Sequence, residues 1–462
     1  MAWANRRKGM EWRAAGWMAR HPAITTTPPA LAASVLELGP VTTGGAVAAL
    51  GAAGLSWYRG HPETFDRWVA PALRSARRRW LRYVGHRWRG LMIDCEFGRE
   101  NRRTGHIEVP RLLRVRSASP SIDTLYVKVL RGQSLKRFQD ATDELAMALR
   151  ADALGIVKVK PGVIALTVVR GNPFEQVIDP AEIPADSSDV DLSALYLGED
   201  EYGNDWTEPL IGQHWLGVGA TGSGKGSLIW NPLRAMGPAI RDGLVRVDMC
   251  DVKGGMEAGN ARPLFHEYAD EPGEALEVIE AFRDDMKTTQ RELGEAGKRK
   301  FTVSRETPLR VLMVDELAMM TALGESGITR KAVKLLAEIM TQGRASGFSV
   351  CAYLQEPTKD ILPVRDLFTR RMCLRTTAEN HADMALGEGM RVKGALADEI
   401  PADEEHAGIG FRVDQYSRRP VRVRAGYVAD DDITELVRTC TPEPIDSNVV
   451  EFRRNDEQDE AA

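Results

Sequence analysis

The feature that most constrains this chain is a glycine-rich loop between a short apolar strand, predicted over 215–218, and a helical segment. The loop reads Gly219, Ala220, Thr221, Gly222, Ser223, Gly224, Lys225, Gly226 and Ser227. Glycines let successive backbone N–H groups curl around phosphates, and the positive end of the following helix faces the same anion. A lysine in this place reaches the β- and γ-phosphates. Residues 219–227 are therefore predicted to form a P-loop that binds ATP with Mg²⁺.

The loop departs from the usual pattern at one position. A serine or threonine normally follows the lysine and ligates Mg²⁺, but here that residue is Gly226 and the serine is Ser227. One residue along a helix is about 100° of rotation, so Ser227 does not simply replace the missing hydroxyl. Ser227, Thr221 and an additional water are the candidates for completing the Mg²⁺ shell.

Two further apolar segments end in polar residues. Segment 311–314 leads into Asp315 and Glu316, a Walker B pattern in which Asp315 holds Mg²⁺ and Glu316 acts as general base on the attacking water. Segment 348–354 leads into Gln355. This amide is predicted either to sense the γ-phosphate or to be a satisfied amide at the start of a loop.

Strand-like and helical segments alternate from about residue 213, which predicts a parallel α/β sheet. A strand at 125–129, a helix capped by Ser134 and a hairpin at Pro161-Gly162 predict a small α+β domain before it. The predicted fold class is α/β, with a P-loop motor domain, the small α+β domain and an N-terminal membrane-associated helical region. The predicted boundaries are 1–58 for a basic segment and membrane anchor, 59–107 for a basic juxtamembrane helical linker, 108–178 for the α+β domain, 179–208 for a linker, 209–440 for the motor and 441–462 for a disordered polar tail.

The membrane prediction depends on residues 41–57, which are small and apolar, end in aromatic residues and are flanked by arginines. The arginine-rich downstream flank predicts that the motor lies in the cytoplasm. Segment 77–89, with arginines and aromatic residues, is predicted to form a basic amphipathic helix on anionic lipid or a solvated linker. A buried Gly/Ala-rich helix or a helix in the interface is the alternative to a span, and the number of spans is left open.

The net charge of −5 means that a nucleic-acid site would have to be a local basic patch. One basic stretch precedes the Walker B segment and contains Lys287, Arg291, Lys298, Arg299, Lys300 and Arg305. It is either a track for phosphates or a solvated charged face. The five cysteines are far apart and without CxxC spacing, which predicts reduced thiols rather than disulfides or a zinc site.

The order of four motifs resembles the FtsK/SpoIIIE family of DNA translocases. The motifs are the P-loop, Asp251-Val252-Lys253, Val314-Asp315-Glu316-Leu317-Ala318 and Gly343-Arg344-Ala345-Ser346-Gly347-Phe348. The resemblance covers about 210–430. Within the family, the Lys-Gly-Ser ending of the P-loop and the compact N-terminal region look like the TraSA-type plasmid-transfer proteins of actinobacteria. No long winged-helix module follows the motor, so the sequence-reading domain of the family is expected to be absent.

The resemblance implies a RecA-like motor that forms a homohexameric ring around double-stranded DNA, hydrolyses ATP between subunits and is tethered to the cell membrane. It implies a role in conjugative plasmid transfer. Arg344 and Arg370 are the candidates for an arginine finger acting across a subunit interface. Lys253 either couples the nucleotide state to DNA or a neighbour, or forms an internal ion pair with Asp251. The basic stretch would face the lumen of the ring.

Alternative functions come from the same motifs. A chromosome-segregation pump and an FtsK-like ATPase for protein secretion would share the motor. A plasmid replication or partition factor would instead use ATP as a switch. A small-molecule kinase fits poorly, because no motif for an acceptor pocket is present. Any DNA sequence that the chain recognises is left open.

Overall fold

The computed structural model describes residue 30 and residues 32–443, apart from 84, 102–104, 175 and 359. The chain divides into two compact units, Met1–Arg77 and Arg78–Ala462. The predicted basic segment before residue 20 and the predicted tail beyond 443 lie outside the described residues.

The first unit contains helices α1 (Pro40–Gly60) and α2 (Pro62–Trp68), and α3 (Ala70–Leu81) begins in it. The indole Nε1 of Trp57 donates to Thr64 Oγ1 at 2.8 Å, and Phe65 meets Trp57 edge to face. These contacts fold α2 back onto the end of α1. Within the described ranges, no helix combines the length and the apolarity needed to cross a bilayer. The predicted span is therefore not confirmed.

A four-stranded antiparallel sheet forms the small α+β part of the second unit. Its strands are β3 (Arg111–Arg116), β4 (Ile122–Lys128), β5 (Ala153–Lys160) and β6 (Val163–Val169), in the order β3-β4-β6-β5. Gly162 has φ +75° in the hairpin between β5 and β6, a conformation that glycine adopts without strain. Helices α5 (Leu135–Asp140) and α6 (Thr142–Leu149) pack on it, and Ser134 caps α5 as predicted.

The residues before this sheet belong to the same core. Helix α4 (Gly85–Asp94) places Trp88 and Met92 in one cluster with Phe138 and Leu125, and a short ribbon of β1 (Arg99–Glu100) and β2 (Ile107–Glu108) follows it. The arginine-rich segment 77–89 is therefore divided between α3 and α4 rather than forming one helix. Apolar residues among the arginines explain the difference, because they gain more from burial than from contact with water.

A ten-stranded sheet forms the large part of the second unit. Its strands are β7 (Leu195–Asp200), β8 (Asp205–Glu208), β9 (Trp215–Val218), β10 (Val245–Cys250), β11 (Glu267–Ala269), β12 (Leu309–Val314), β13 (Phe348–Leu354), β14 (Arg370–Leu374), β15 (Ile409–Val413) and β16 (Pro420–Ala425). The order is β11-β10-β12-β13-β9-β14-β15-β16-β7-β8. Strands from β11 to β14 are parallel, and the others pair antiparallel.

Strands β7 and β8 come from the segment 179–208, which the sequence predicts to be mainly a linker. Leu195, Leu197 and Trp206 are buried in the core of the sheet. The alternation of Leu195 and Leu197 is the pattern of a strand with one buried face. Acidic residues around this short pattern obscure it in the sequence.

Helices cover both faces of the large sheet. They are α7 (Lys225–Ala235), α8 (Gly237–Arg241), α9 (Pro272–Glu295), α10 (Ser326–Gln342), α11 (His381–Leu386) and α12 (Asp430–Cys440). Alternate residues of one strand enter different cores: Leu312 and Val314 pack with α9 and α10, whereas Val311 and Met313 pack with α7 and α12. Continuous apolar strands are expected where both faces are covered.

A buried carboxylate ties the small sheet to the segment before it. Asp123 is fully buried and receives hydrogen bonds from Ser117, Tyr83 and the guanidinium groups of Arg78 and Arg170. Burial alone would raise the pKa of Asp123, but these hydrogen bonds outweigh it and hold the pKa below its ordinary value.

Replacing Asp123 with alanine leaves Arg78 and Arg170 without their shared anion, although their side chains are only 14% and 20% exposed. We expect the free energy of unfolding to fall by about 3 kcal/mol, as when one partner of a buried ion pair is removed. Urea denaturation of the full chain measures it. The control Asp140→Ala removes an exposed carboxylate and should cost under about 0.5 kcal/mol. Equal effects of the two variants would contradict the role given to Asp123.

Candidate nucleotide-binding site

The site is built at one edge of the large sheet. Strands β9, β10, β12, β13 and β14 are parallel, so their carboxyl ends lie side by side. The residues that follow these ends are, in the order of the strands across the sheet, Asp251, Asp315 with Glu316, Gln355, the P-loop and Arg375. Ligands of open α/β sheets bind at this edge.

The P-loop is held on both sides by neighbouring strands. Gly219 N donates to Leu354 O at 3.0 Å, and Ala220 N donates to Arg375 O at 2.9 Å. Gly222 and Gly224 have φ +72° and +88°, which is favourable only for glycine. A Cβ on Gly224 would lie 2.4 Å from a backbone nitrogen. The loop then enters α7 at Lys225, so the helix N-terminus and the curled backbone face one anion site.

Lys225 joins the P-loop to the carboxylates after β12. Its Nζ lies 3.3 Å from Asp315 Oδ1 and 3.7 Å from Glu316 Oε2. Glu316 Oε2 also accepts a hydrogen bond of 2.7 Å from Lys253 Nζ. Asp315 and Glu316 are each only 4% exposed. Two lysines thus offset two buried carboxylates where phosphate charge would enter.

Asp251 and Lys253 do not pair with each other, so the predicted internal ion pair is not found. Asp251 Oδ2 instead accepts the backbone N–H groups of Glu257 and Ala258 at 2.9 and 2.7 Å. Burial raises the pKa of Asp251 above its ordinary value, although these N–H groups act in the opposite direction. Asp251 therefore fixes the turn after β10, and Lys253 is left to hold Glu316.

Gln355 lies beside the P-loop. Strand β13 runs between the P-loop strand β9 and the Asp-Glu strand β12, and the hydroxyl of Thr221 donates to Gln355 Oε1 at 3.0 Å. This contact puts the amide between the loop and the carboxylates. Arg375, which the sequence reasoning missed, donates to Thr221 O at 2.6 Å. Its position directly after β14 was the sequence signal that could have identified it.

Glu257 is a second residue that the sequence reasoning missed. Its Oε1 accepts a hydrogen bond of 2.9 Å from Trp230 Nε1 in α7. Burial, and then the negative charge of Asp315, raise the pKa of the Glu257 carboxyl above its ordinary value, while Lys225 acts to lower it. The carboxylate therefore belongs to the charged group around the P-loop.

The residues present fit a nucleotide with Mg²⁺. Asp315 Oδ1 is buried and accepts no hydrogen bond from any described residue. Across the described part of the chain, no three His, Cys, Asp or Glu side chains form a metal cluster by themselves. Mg²⁺ that accompanies a nucleotide is held by one or two carboxylates together with phosphate oxygens and water. Asp315 would hold the ion, and Lys225 and the loop amides would hold the phosphates. Ser227, the other predicted ligand, lies in the first turn of α7.

Arg344 and Arg370 are not at the P-loop of their own chain. Arg344 precedes β13 and donates to Gly212 O at 2.7 Å. Arg370 starts β14, pairs in register with Trp215, and lies 3.4 Å from buried Glu208. Both are therefore at the amino ends of strands whose carboxyl ends carry the site. Their role as fingers toward a neighbouring subunit stays a prediction.

The parallel sheet, the P-loop and the Asp-Glu pair after β12 together define a P-loop ATPase. No protein-family model matches the chain. Its sequence is 24% identical to the DNA translocase FtsK of Streptococcus pyogenes over 350 residues, which cover 69% of this chain and 41% of that protein. FtsK of Chlamydia trachomatis is 22% identical over 371 residues, covering 74% and 44%. These matches confirm the resemblance to the FtsK/SpoIIIE family. The chain spans less than half the length of these curated relatives.

Two solved structures align with part of this chain. The monomer form of the pCW3 conjugation coupling protein TcpA with ATPγS aligns over 76% of this chain and 98% of its own, with a TM-score of 0.49 and 18% identity. The cytoplasmic domain of the type VII secretion ATPase EccC from Thermomonospora curvata aligns over 59% and 34%, with a TM-score of 0.45 and 20% identity.

Replacing Glu316 with glutamine keeps its shape and removes the base. We expect phosphate release from ATP to fall at least about 100-fold, while a fluorescent ATP analogue still binds. Lys225→Ala should lose binding as well, because the phosphates lose their cation. The control Glu325→Gln changes an exposed carboxylate in the segment between β12 and α10. It should leave phosphate release and binding of the ATP analogue unchanged. Hydrolysis by Glu316→Gln within threefold of the parent would remove Glu316 from the chemistry.

Proposed function

We propose that this chain is an ATP-driven translocase of double-stranded DNA. The observation that carries the proposal is a basic loop at the edge of the sheet opposite the nucleotide site. Strands β12 and β13 each run from the side of this loop directly to the nucleotide site. The proposal also draws on the sequence matches to proteins named DNA translocase FtsK. The proposal places Glu316 and Lys225 at the chemistry and the basic loop on the DNA.

The basic loop comprises Lys298, Arg299, Lys300 and Arg305, between α9 and β12. All four side chains are exposed, and none has an ion-pair partner among the described residues. Arg291, near the end of α9, is exposed as well. Lys287 differs, because its Nζ is 2.8 Å from Glu338 and so it is partly neutralised. Unpaired exposed cations of this kind suit contacts with phosphates that do not depend on base sequence.

The loop is anchored to the turn before β13. Phe301 N donates to Ala345 O at 3.1 Å, and the Phe301 ring packs on Gly347, where an added Cβ would lie 2.7 Å from the ring. Gly347 has φ +83°. From this anchor, β12 runs to Asp315 and β13 runs to Gln355. A shift of these strands upon hydrolysis would therefore reach the basic loop.

Lys253 offers a chemical link between hydrolysis at Glu316 and a contact with DNA or a neighbouring subunit. Because Glu316 Oε2 accepts the hydrogen bond from Lys253, Lys253 has to move before that oxygen can contact the attacking water. Lys253 is in the loop after β10, outside the P-loop, and its side chain is about one third exposed at 35%. A DNA contact or a neighbouring subunit that draws Lys253 aside would then activate hydrolysis.

The proposal extends to a homohexameric ring, attachment to the cell membrane and conjugative plasmid transfer. The motif order and the Lys-Gly-Ser ending of the P-loop support the plasmid-transfer role. Exposed apolar side chains on and before α1, namely Leu36, Val41 and Leu50, support attachment to a membrane surface. The proposal places the motor in the cytoplasm.

The first test is ATP hydrolysis by the full chain with duplex DNA, single-stranded DNA or none. We expect stimulation by duplex DNA, abolished in Lys225→Ala. Stimulation by neither nucleic acid, in protein shown to bind ATP and to assemble, would favour a protein-exporting ATPase instead.

The second test neutralises the basic loop. The variant Lys298→Gln/Arg299→Gln/Lys300→Gln should weaken duplex binding, because it removes three cations that would face phosphates. The slope of log affinity against log salt should shrink by up to about 2.7, or about 0.9 for each phosphate that the variant no longer neutralises. Fluorescence anisotropy at several salt concentrations measures both the affinity and the slope.

The matched control, Lys128→Gln/Lys158→Gln/Lys160→Gln, removes three exposed lysines from the small sheet. It should bind DNA as the parent does. If both triple variants lose affinity equally, the effect is one of net charge and the basic loop is not the track.

A further inference from the structure

We propose that Glu257 takes the place of the missing P-loop hydroxyl and supplies a carboxylate ligand to the Mg²⁺ that accompanies ATP. The inference requires that the chain binds Mg²⁺–ATP. It does not depend on whether the chain moves DNA or protein.

The Glu257 carboxylate lies against Gly226, where a side chain would otherwise be. A Cβ built on Gly226 would lie 2.7 Å from Glu257 Oε1, closer than carbon and oxygen approach in proteins. A serine or threonine at this position carries its Mg²⁺-binding hydroxyl on that Cβ. The Glu257 carboxylate therefore stands beside the place of the usual hydroxyl, and a serine or threonine at position 226 would displace it. The glycine and the glutamate are coupled features of one site.

Two hydrogen bonds hold the Glu257 side chain and its backbone in place. Trp230 Nε1 donates to Oε1 at 2.9 Å, and the backbone N–H of Glu257 is fixed on Asp251 Oδ2 at 2.9 Å. Oε2 accepts no hydrogen bond from any described residue and is 3.7 Å from the Cβ position of Gly226. One oxygen is thus used for orientation, and the other is left for a ligand.

Negative charge is concentrated around Glu257. Glu257 is close enough to Asp315 and Lys225 for their charges to act on it. Among the described residues, Asp315 Oδ1 and Asp251 Oδ1 are buried and accept no hydrogen bond, although Lys225 Nζ lies 3.3 Å from Asp315 Oδ1. The Lys225 ammonium only partly offsets the repulsion among Asp251, Asp315 and Glu257, so a further cation is required to balance their charge. Mg²⁺ with one or two carboxylates and the phosphate oxygens of the nucleotide meets that requirement.

The test measures metal binding directly, with Mn²⁺ as the probe. The full chain is saturated with ATPγS, and bound Mn²⁺ is followed by electron paramagnetic resonance. Glu257→Gln keeps the hydrogen bond from Trp230 and removes the charge. We expect the Mn²⁺ concentration at half occupancy to rise at least tenfold, while nucleotide affinity without metal stays within threefold of the parent.

The control Glu267→Gln makes the same change at an exposed position of β11 and should leave Mn²⁺ binding unchanged. If Glu257→Gln binds Mn²⁺ within twofold of the parent, Glu257 is a partner of Trp230 only and the proposal is overturned. If the parent itself does not bind nucleotide, that result contradicts the ATPase assignment instead. Failure of the Glu257 proposal and failure of the ATPase assignment can therefore be told apart.

Restoring the usual hydroxyl gives a second, independent result. Gly226→Ser/Glu257→Ala places a hydroxyl at the P-loop position and removes the carboxylate that an added Cβ would meet. We expect this double variant to regain most of the Mn²⁺ affinity that Glu257→Gln loses. Provided that near-ultraviolet circular dichroism shows a native fold, a double variant as weak as Glu257→Gln would mean that the two positions do not share a ligand role.

Discussion

The parallel pairing of β9 with β13 on one side and β14 on the other is the constraint on which the site depends. Because a parallel ladder aligns the carboxyl ends of its strands, it collects residues that are far apart in sequence, from Thr221 to Arg375, at one edge. The backbone bonds from Gly219 to Leu354 and from Ala220 to Arg375 continue that pairing into the P-loop. The loop is therefore positioned by the sheet before any phosphate binds.

The charges at this edge explain why the carboxylates tolerate burial. Asp315 and Glu316 are 4% exposed, and Lys225 and Lys253 lie within 3.3 Å and 2.7 Å of them. In this arrangement the lysines compensate the charge of the acids. Phosphates would compete for Lys225, and a cation beside Asp315 would then replace its charge. The site is arranged to exchange one set of ion pairs for another.

Some expectations failed for local reasons. The alternation Leu195, Tyr196, Leu197 is too short and too close to acidic residues to stand out, yet it forms a strand near one edge of the large sheet. Trp88 and Met92 lie among arginines in the sequence, and only packing against Phe138 shows that they are core. The pairing of Lys253 with Glu316 rather than Asp251 depends on where β10 and β12 end relative to each other.

The sequence by itself determined the parts of the proposed site that lie within one continuous segment. The P-loop, the Asp-Glu pair after an apolar strand and the glutamine after the next strand are local patterns, because each needs only a strand end and the turn that follows it. Tertiary structure alone decided which residues from different segments meet. Glu257 lies 31 positions after Gly226 (257 − 226), and no periodicity connects them. Only the folding of β10 beside β12, with the turn after β10 packed on α7, brings that carboxylate to the empty Cβ position of the glycine.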